Sequence, residues 1–195
     1  MNKRGFLTAA AALLLAAAGT GASAQVVDVE GVKFEPTAQL GGAALLLNGA
    51  GLRKRAFFKV YAAGLYVPQK SNSAATLLAQ KGPRRVQIGM LRDVDADTFA
   101  ASLNEGLQNN STEAQMAAMK PQADALTAAL KSAGEAKKGD TILFEFVPDT
   151  GTRVIVNGKP LGNPIPGEDF FTAVLRIWLG DKPADSDLKK ALLGG

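Results

Sequence analysis

The 195-residue sequence contains no cysteine and no histidine. Without thiolates and imidazoles, the chain cannot form disulfides or the zinc sites that use those ligands. The same absence excludes Ser-His-Asp and Cys-His nucleophilic catalysis. Proton transfer near neutral pH would need a carboxylate, a lysine or a tyrosine with a shifted pKa. Most hydrolases and thiol-based redox enzymes are therefore excluded, and we expect no metal ion and no cofactor.

The chain also lacks a large excess of positive or negative side chains. The sequence has 22 lysines and arginines against 18 aspartates and glutamates. Without Lys3 and Arg4, the remaining 20 basic residues face 18 acidic ones. A nucleic-acid-binding protein usually carries a clustered basic face. We therefore expect no nucleic-acid partner.

The first residues have the pattern of a secretory signal peptide. Lys3 and Arg4 precede an apolar run over residues 7–18, which is too short to span a bilayer, and a small-residue cleavage site follows. We predict that residues 1–24 are cleaved and that the mature chain is periplasmic or secreted, without stable membrane insertion. An uncleaved membrane anchor is the alternative.

Residues 25–195 have the length of one domain with a hydrophobic core, and strand patterns at both ends flank a helical middle. We expect strands over 26–34 (as a hairpin), 39–47, 56–67, 85–91, 140–147 and 152–156, and helices over 73–80, 95–107, 110–130, 168–179 and 186–193. Pro121 should split the third of these helices. The pattern predicts an α+β fold, in which helices cover one face of an antiparallel sheet.

The segment from Asn48 to Tyr66 contains the most informative residues. We expect a small-residue turn at Asn48-Gly-Ala-Gly to present Arg53, followed by a long strand. Alternation along that strand would place Lys59 and Tyr61 on one face and Tyr66 on the other.

The chemistry of these side chains suits an anionic ligand. A guanidinium offers a planar fork of donors and stays charged, so Arg53 beside an apolar wall would bind a carboxylate or a phenolate. The Tyr61 hydroxyl could add a hydrogen bond, which gives a polar end to an apolar cleft. Lys54 and Arg55 are expected to be surface charges.

Two motifs carry a resemblance to a known family. The first is Gly-Ala-Gly-Leu-Arg53, followed by Phe-Phe-Lys-Val-Tyr61-Ala-Ala-Gly-Leu-Tyr66. The second runs from Val156-Asn-Gly-Lys into Gly167-Glu-Asp-Phe-Phe and on through Trp178-Leu-Gly-Asp-Lys-Pro. In this order, with a helical pair between them, they resemble the bacterial branch of the chalcone isomerase-like family. The resemblance implies an open-faced β-sandwich, with a large antiparallel sheet covered by a helical layer and a ligand cleft between the two.

The resemblance also implies roles for individual residues. Plant members close a chalcone into a flavanone while an arginine steers the phenolate, and other members grip a fatty-acid carboxylate with an arginine and a tyrosine. Arg53 matches the family arginine, and Tyr61 matches the tyrosine of the fatty-acid-binding branch. Lys59 matches a family lysine, whereas Asn104 and Asn109 are the candidates for a family asparagine. Tyr66 is a further candidate ligand contact.

Three functions remain open from the sequence. The favoured one is a monomeric exported protein that binds a fatty acid or a similar amphiphilic carboxylate or phenolate, held by Arg53 and Tyr61. The alternative is an isomerase of the intramolecular lyase class, in which the same two residues are catalytic and Arg53 stabilises the anion of a chalcone-like phenolic enone. The third is a partner protein of the cell envelope without a small ligand, for which we would expect side chains to fill the cleft.

Overall fold

The computed structural model describes residues 25–195, so the signal-peptide prediction lies outside the described residues. Within these residues the chain forms nine strands: β1 Val27–Val29, β2 Val32–Phe34, β3 Thr37–Leu40, β4 Ala43–Arg55, β5 Phe58–Val67, β6 Arg84–Met90, β7 Thr141–Val147, β8 Gly151–Val156 and β9 Lys159–Ile165. The first two form a separate hairpin. The other seven form one antiparallel sheet in chain order, from β3 to β9.

Six helices accompany these strands: α1 Ala74–Ala79, α2 Ala96–Asn109, α3 Glu113–Ala118, α4 Lys120–Ser132, α5 Glu168–Leu179 and α6 Ser186–Leu192. Three of them, α2 to α4, lie in the single connection between the neighbouring strands β6 and β7. The prediction of an α+β fold with helices covering a large antiparallel sheet is confirmed. Among residues 25–195, no helix is both long and apolar enough to cross a bilayer.

The sheet separates two hydrophobic cores of unequal size. The larger core lies between the sheet and the helices, where eight of the twelve residues of α5 are buried, including Phe171 and Trp178. On the other face, the β1–β2 hairpin buries Phe34 against the sheet near Tyr66. Gly64 makes room for this hairpin, since a Cβ there would meet the Phe34 ring at 2.5 Å.

The prediction of a turn at residues 48–51 is wrong. These residues continue β4, which runs for 13 residues, and the chain reverses instead at residues 56–57. The glycines serve close packing of α6, because a Cβ on Gly49 would overlap the carbonyl oxygen of Ala191. Asn48 sits at a register shift of β4, and its amide donates to the carbonyl oxygens of Ser71 and Leu192. Asn48 and Gly49 thus fix α6 against the strand.

Most local predictions in the helical middle are confirmed, with one exception, and one strand elsewhere was missed. The Asp95 carboxylate accepts from the Thr98 N–H and caps α2, and Pro121 separates α3 from α4 as expected. The helix predicted to begin near residue 110 begins later, because Thr112 and Gln115 form the capping box of α3. Strand β9 was not predicted, and as an edge strand it tolerates its two prolines.

Candidate functional site

Arg53 and Tyr61 lie side by side on the helix-facing side of the sheet. They pair across β4 and β5, and Tyr61 pairs in turn with Met90 on β6. The Arg53 guanidinium carbon lies 5.4 Å from the centroid of the Tyr61 ring, a cation–π distance. The Arg53 Nε is buried and has no hydrogen-bond partner among residues 25–195. The structure therefore brings together the two residues that the sequence selected first.

The hydroxyl of Tyr61 forms a hydrogen bond with another side chain. Tyr61 is 2% exposed, and its hydroxyl oxygen accepts a hydrogen bond of 2.8 Å from the indole Nε1 of Trp178 on α5. Burial raises the pKa of Tyr61 above its usual 10.0, although the Arg53 charge and the bond from Trp178 oppose this rise. Tyr61 therefore keeps its proton at physiological pH.

A pocket of about 340 Å³ opens beside Arg53, at the mouth of the space between sheet and helices. It lies between the β4–β5 hairpin, the loop before α2 and the first turns of α2. Its lining comprises three arginines (Arg53, Arg55 and Arg92), four apolar residues (Phe58, Val60, Val94 and Phe99), two hydroxyls (Thr98 and Ser102) and three carboxylates (Asp93, Asp95 and Glu135). Apolar walls and a few charged groups of both signs thus meet in one concave site, which is the usual arrangement for a small-molecule ligand.

Asp185 adds a fixed negative charge near Arg53. Its carboxylate accepts from the backbone N–H groups of Lys54, Asp187 and Leu188. Partial burial alone would raise the pKa of Asp185, but these three donors and the Arg53 charge outweigh it and bring the pKa below the usual 3.8. No salt bridge joins Asp185 to Arg53 among the residues that the structure describes, so the guanidinium fork stays free.

The prediction that Lys59 shares a face with Tyr61 is wrong. The β4–β5 register shifts between Arg53–Tyr61 and Lys54–Lys59, so Val60 is an extra residue on β5. Such a bulge reverses the alternation of side chains. Val60 therefore joins Tyr61 in the main core, while the Lys59 Nζ forms a salt bridge of 2.7 Å with Glu30 of the β1–β2 hairpin.

The structure also keeps Tyr66 and Asn104 apart from Arg53. Tyr66 packs in the smaller core on the opposite face of the sheet, where burial raises its pKa to about 12. The Asn104 amide on α2 donates to the Thr127 hydroxyl on α4 at 2.9 Å, so it joins two helices. Neither residue lines the pocket at Arg53.

Sequence reasoning missed other groups at this site. Trp178 packs in the main core, and its N–H also donates to the Tyr61 hydroxyl. Arg92 stands over the Phe58 ring at 4.9 Å and adds a third arginine to the pocket. A single arginine in a loop has no sequence signal of its own, because only the fold places it against β5.

Three larger surface pockets lie elsewhere. One of about 730 Å³ is lined by α3 and α5, and one of about 590 Å³ lies between α4 and β9. Neither of these two contains a predicted site residue. The third, of about 540 Å³, includes Asn109 at the end of α2 but neither Arg53 nor Tyr61. Within residues 25–195, no cluster of three or more acidic side chains is placed to hold a metal ion.

Residues 26–194 match the family model described as chalcone isomerase-like. The chain belongs to the chalcone isomerase-like family. A comparison with curated protein sequences finds no match. Among solved structures, this chalcone isomerase-like chain is similar to a fatty-acid binding protein of Arabidopsis thaliana, with a TM-score of 0.64 and 16% identity over 87% of this chain and 96% of the other. At that identity, the likeness establishes the shared fold.

Proposed function

We propose that this protein binds a small amphiphilic anion, with its carboxylate or phenolate at Arg53. One observation carries the proposal: the Arg53 Nε is buried without a hydrogen-bond partner, and Arg53 forms no salt bridge within residues 25–195. Arg53 as a whole is half-buried, but a buried N–H donor without a partner is unfavourable. An anion entering the pocket would restore that partner through a charge-assisted hydrogen bond.

The rest of the pocket suits the apolar part of such a ligand. Phe58, Val60 and Phe99 offer apolar surface next to Arg53, while Thr98 and Ser102 supply hydroxyls from α2. The Arg53 guanidinium stacks on the Tyr61 ring, and the Tyr61 hydroxyl accepts a hydrogen bond from Trp178. In this proposal, Arg53 holds the anion directly and Tyr61 positions Arg53.

The size of the pocket favours a short ligand. A volume of about 340 Å³ is at the low end of the range of roughly 300–1,000 Å³ for small-molecule sites. Below it, the interior is filled by buried side chains that include Tyr61, Met90 and Trp178, as expected for the partner role, so only the pocket itself is open to a ligand. A long acyl chain would have to displace them, so we propose a short or medium-length carboxylate. The name of the Arabidopsis structural neighbour, a fatty-acid binding protein, supports this chemical class. We place the activity in the periplasm on the basis of residues 1–24.

Thermal denaturation with saturated fatty acids of increasing length, from hexanoate to palmitate, tests the proposal. A ligand specific to the folded state at a hundred times its Kd should stabilise by about 2.7 kcal/mol, which raises the Tm by roughly 5–10 °C. Loss of the charge-assisted bond in Arg53→Met should weaken binding roughly 10- to 150-fold. Arg55→Met, an exposed arginine at the rim, is the matched control and should weaken it less than about fivefold.

Two outcomes would contradict the proposal. Equal losses in Arg53→Met and Arg55→Met would mean that general positive charge, not the Arg53 guanidinium in particular, attracts the ligand. No stabilisation by any acid, together with an empty protein in native mass spectrometry, would favour the partner role without a small ligand.

Catalysis by the same site is the second candidate. The specific observation is an unpartnered guanidinium next to a tyrosine that keeps its proton. An intramolecular addition needs mainly a folded substrate and a stabilised anion, without a histidine or a nucleophile. Loss of the absorbance band of a chalcone, faster than the spontaneous reaction and abolished in Arg53→Met, would support this isomerase; no excess rate at high protein concentration would exclude it.

A further inference from the structure

The β4–β5 hairpin extends past the end of the neighbouring strand. The pairing of β5 with β6 stops at Tyr61 and Met90, while β4 and β5 continue to pair through Arg55 and Phe58. Residues 54–59 therefore form a two-stranded arm. We call these residues, together with Arg92, the hairpin tip.

The hairpin tip exposes two adjacent aromatic side chains. Phe57 is 99% exposed and Phe58 is 60% exposed. All other phenylalanines in residues 25–195 are at most 5% exposed. Exposed apolar residues scattered singly are common, but a fully exposed phenylalanine at the end of a projecting arm presents apolar surface to a partner.

Cations surround these two rings. Lys54, Arg55 and Arg92 form no salt bridge within the described part of the chain, and Arg92 stands over the Phe58 ring. The charge of Lys59 is offset by Glu30 at 2.7 Å. The nearby Asp93 and Asp185 carboxylates accept from the backbone N–H groups of Lys138 and Lys54. The outer end of the arm thus combines an aromatic ring with unpaired positive charge.

We propose that the hairpin tip docks on the surface of an anionic phospholipid bilayer, with Phe57 inserted at the level of the headgroups. An aromatic ring flanked by lysine and arginine has the composition of an interfacial anchor, because the ring enters the boundary region while the cations meet phosphates. Self-association through this surface is disfavoured, since two tips would bring Lys54, Arg55 and Arg92 against their own copies.

Docking in this way would turn the pocket mouth towards the bilayer. Arg55, Phe58 and Arg92 belong to both the hairpin tip and the pocket lining. An amphiphilic anion could then pass between membrane and pocket without crossing bulk water. This last step rests on the proposed function, whereas the docking itself does not.

Sedimentation with sucrose-loaded vesicles tests the docking. The protein, residues 25–195, should bind vesicles of equimolar phosphatidylglycerol and phosphatidylcholine at low salt, bind phosphatidylcholine alone much less, and be released by high salt. Phe57→Ser should weaken binding by at least about tenfold. Lys54→Gln should weaken it by about fivefold.

Matched variants separate docking from general effects. Lys70→Gln removes an exposed lysine beyond the opposite end of β5. Val26→Ser removes an exposed apolar side chain just before β1, at the end of the β1–β2 hairpin opposite the turn that holds Glu30. Each substitution should change vesicle binding by less than about twofold. Phe57→Trp adds an emitting residue, which should shift to shorter wavelength with anionic vesicles while buried Trp178 gives a constant background.

Three results would overturn the docking proposal: no binding to anionic vesicles, equal losses in Lys54→Gln and Lys70→Gln, or a Phe57-dependent dimer in place of vesicle binding. Fatty-acid stabilisation of Phe57→Ser is measured in parallel. If Phe57→Ser keeps its fatty-acid stabilisation but loses vesicle binding, membrane docking and ligand binding are separate properties. If the protein binds vesicles but no fatty acid, the proposed function fails and the docking proposal stands.

Discussion

Substitution of Tyr61 by phenylalanine separates two roles that this residue could have. In the structure, the ring supports Arg53 while the hydroxyl accepts from the Trp178 Nε1. Phenylalanine keeps the ring and removes the acceptor. Trp178 is 1% exposed, so its N–H would be left buried without a partner.

The expected cost follows from that orphaned donor. A buried donor without a partner costs about 1–3 kcal/mol, and each kcal/mol lowers the Tm of a domain of this size by roughly 2–4 °C. Tyr61→Phe should therefore lower the Tm by roughly 2–12 °C. In a Trp178→Phe background the donor is already absent, so the same change should cost less than about 0.5 kcal/mol.

Denaturant unfolding of the four proteins in this double-mutant cycle measures the coupling. Far-ultraviolet circular dichroism is the appropriate signal, because Trp178 is the only tryptophan and two members of the cycle lack it. Fatty-acid affinity measured on the same proteins should change less than about twofold in Tyr61→Phe, since the cation–π support of Arg53 remains.

Two results would refute this reasoning. An absence of coupling between the two substitutions would mean that the hydrogen bond contributes nothing to stability. A loss of affinity in Tyr61→Phe as large as that in Arg53→Met would mean that the hydroxyl leaves Trp178 and contacts the ligand, as the family resemblance implies.

Three further substitutions test the packing around the site. Gly49→Ala should destabilise by about 1–3 kcal/mol, because the new methyl group meets the backbone of α6; an unchanged Tm in thermal denaturation would argue against this contact. Glu168→Gln should cost about 1.5–3 kcal/mol in urea unfolding, since it leaves the fully buried Arg84 without its carboxylate at 2.7 Å, and a more stable variant would contradict this. Asp185→Asn should destabilise at neutral pH. The folded-state pKa of Asp185 is lowered, so its contribution is present above pH 3.8 and is lost as the pH falls below that value; a Tm difference from the parent protein that persists in acid would refute it.

The periodic elements could be predicted from sequence because their pattern is local. Helix α5 was predicted with its observed bounds, since its apolar residues repeat at helical spacing and Gly180 ends it. The segment from Asn48 to Gly51 was misassigned for the opposite reason. Glycines are turn residues locally, and only the later approach of α6 shows that they serve close packing within β4.

The site could be predicted only in part, because its composition depends on register and on distant segments. Arg53 and Tyr61 lie in one motif, and the structure places them together. Lys59 was misplaced because the bulge at Val60 depends on how β4 and β5 pair, which alternation alone does not reveal. Trp178 is 117 residues from Tyr61 in sequence, so their hydrogen bond appears only once the fold is known.

The position of α2 to α4 makes the pocket modular. All three helices lie in the one connection between β6 and β7, and the pairing of those strands, from Arg84–Phe146 to Gly89–Thr141, does not involve them. The segment over residues 91–140 supplies one wall of the pocket, while the β4–β5 hairpin supplies Arg53. An exchange of that segment between relatives would therefore produce chimaeras with a different apolar wall around the same guanidinium, and ligand range could diverge without any change to the sheet.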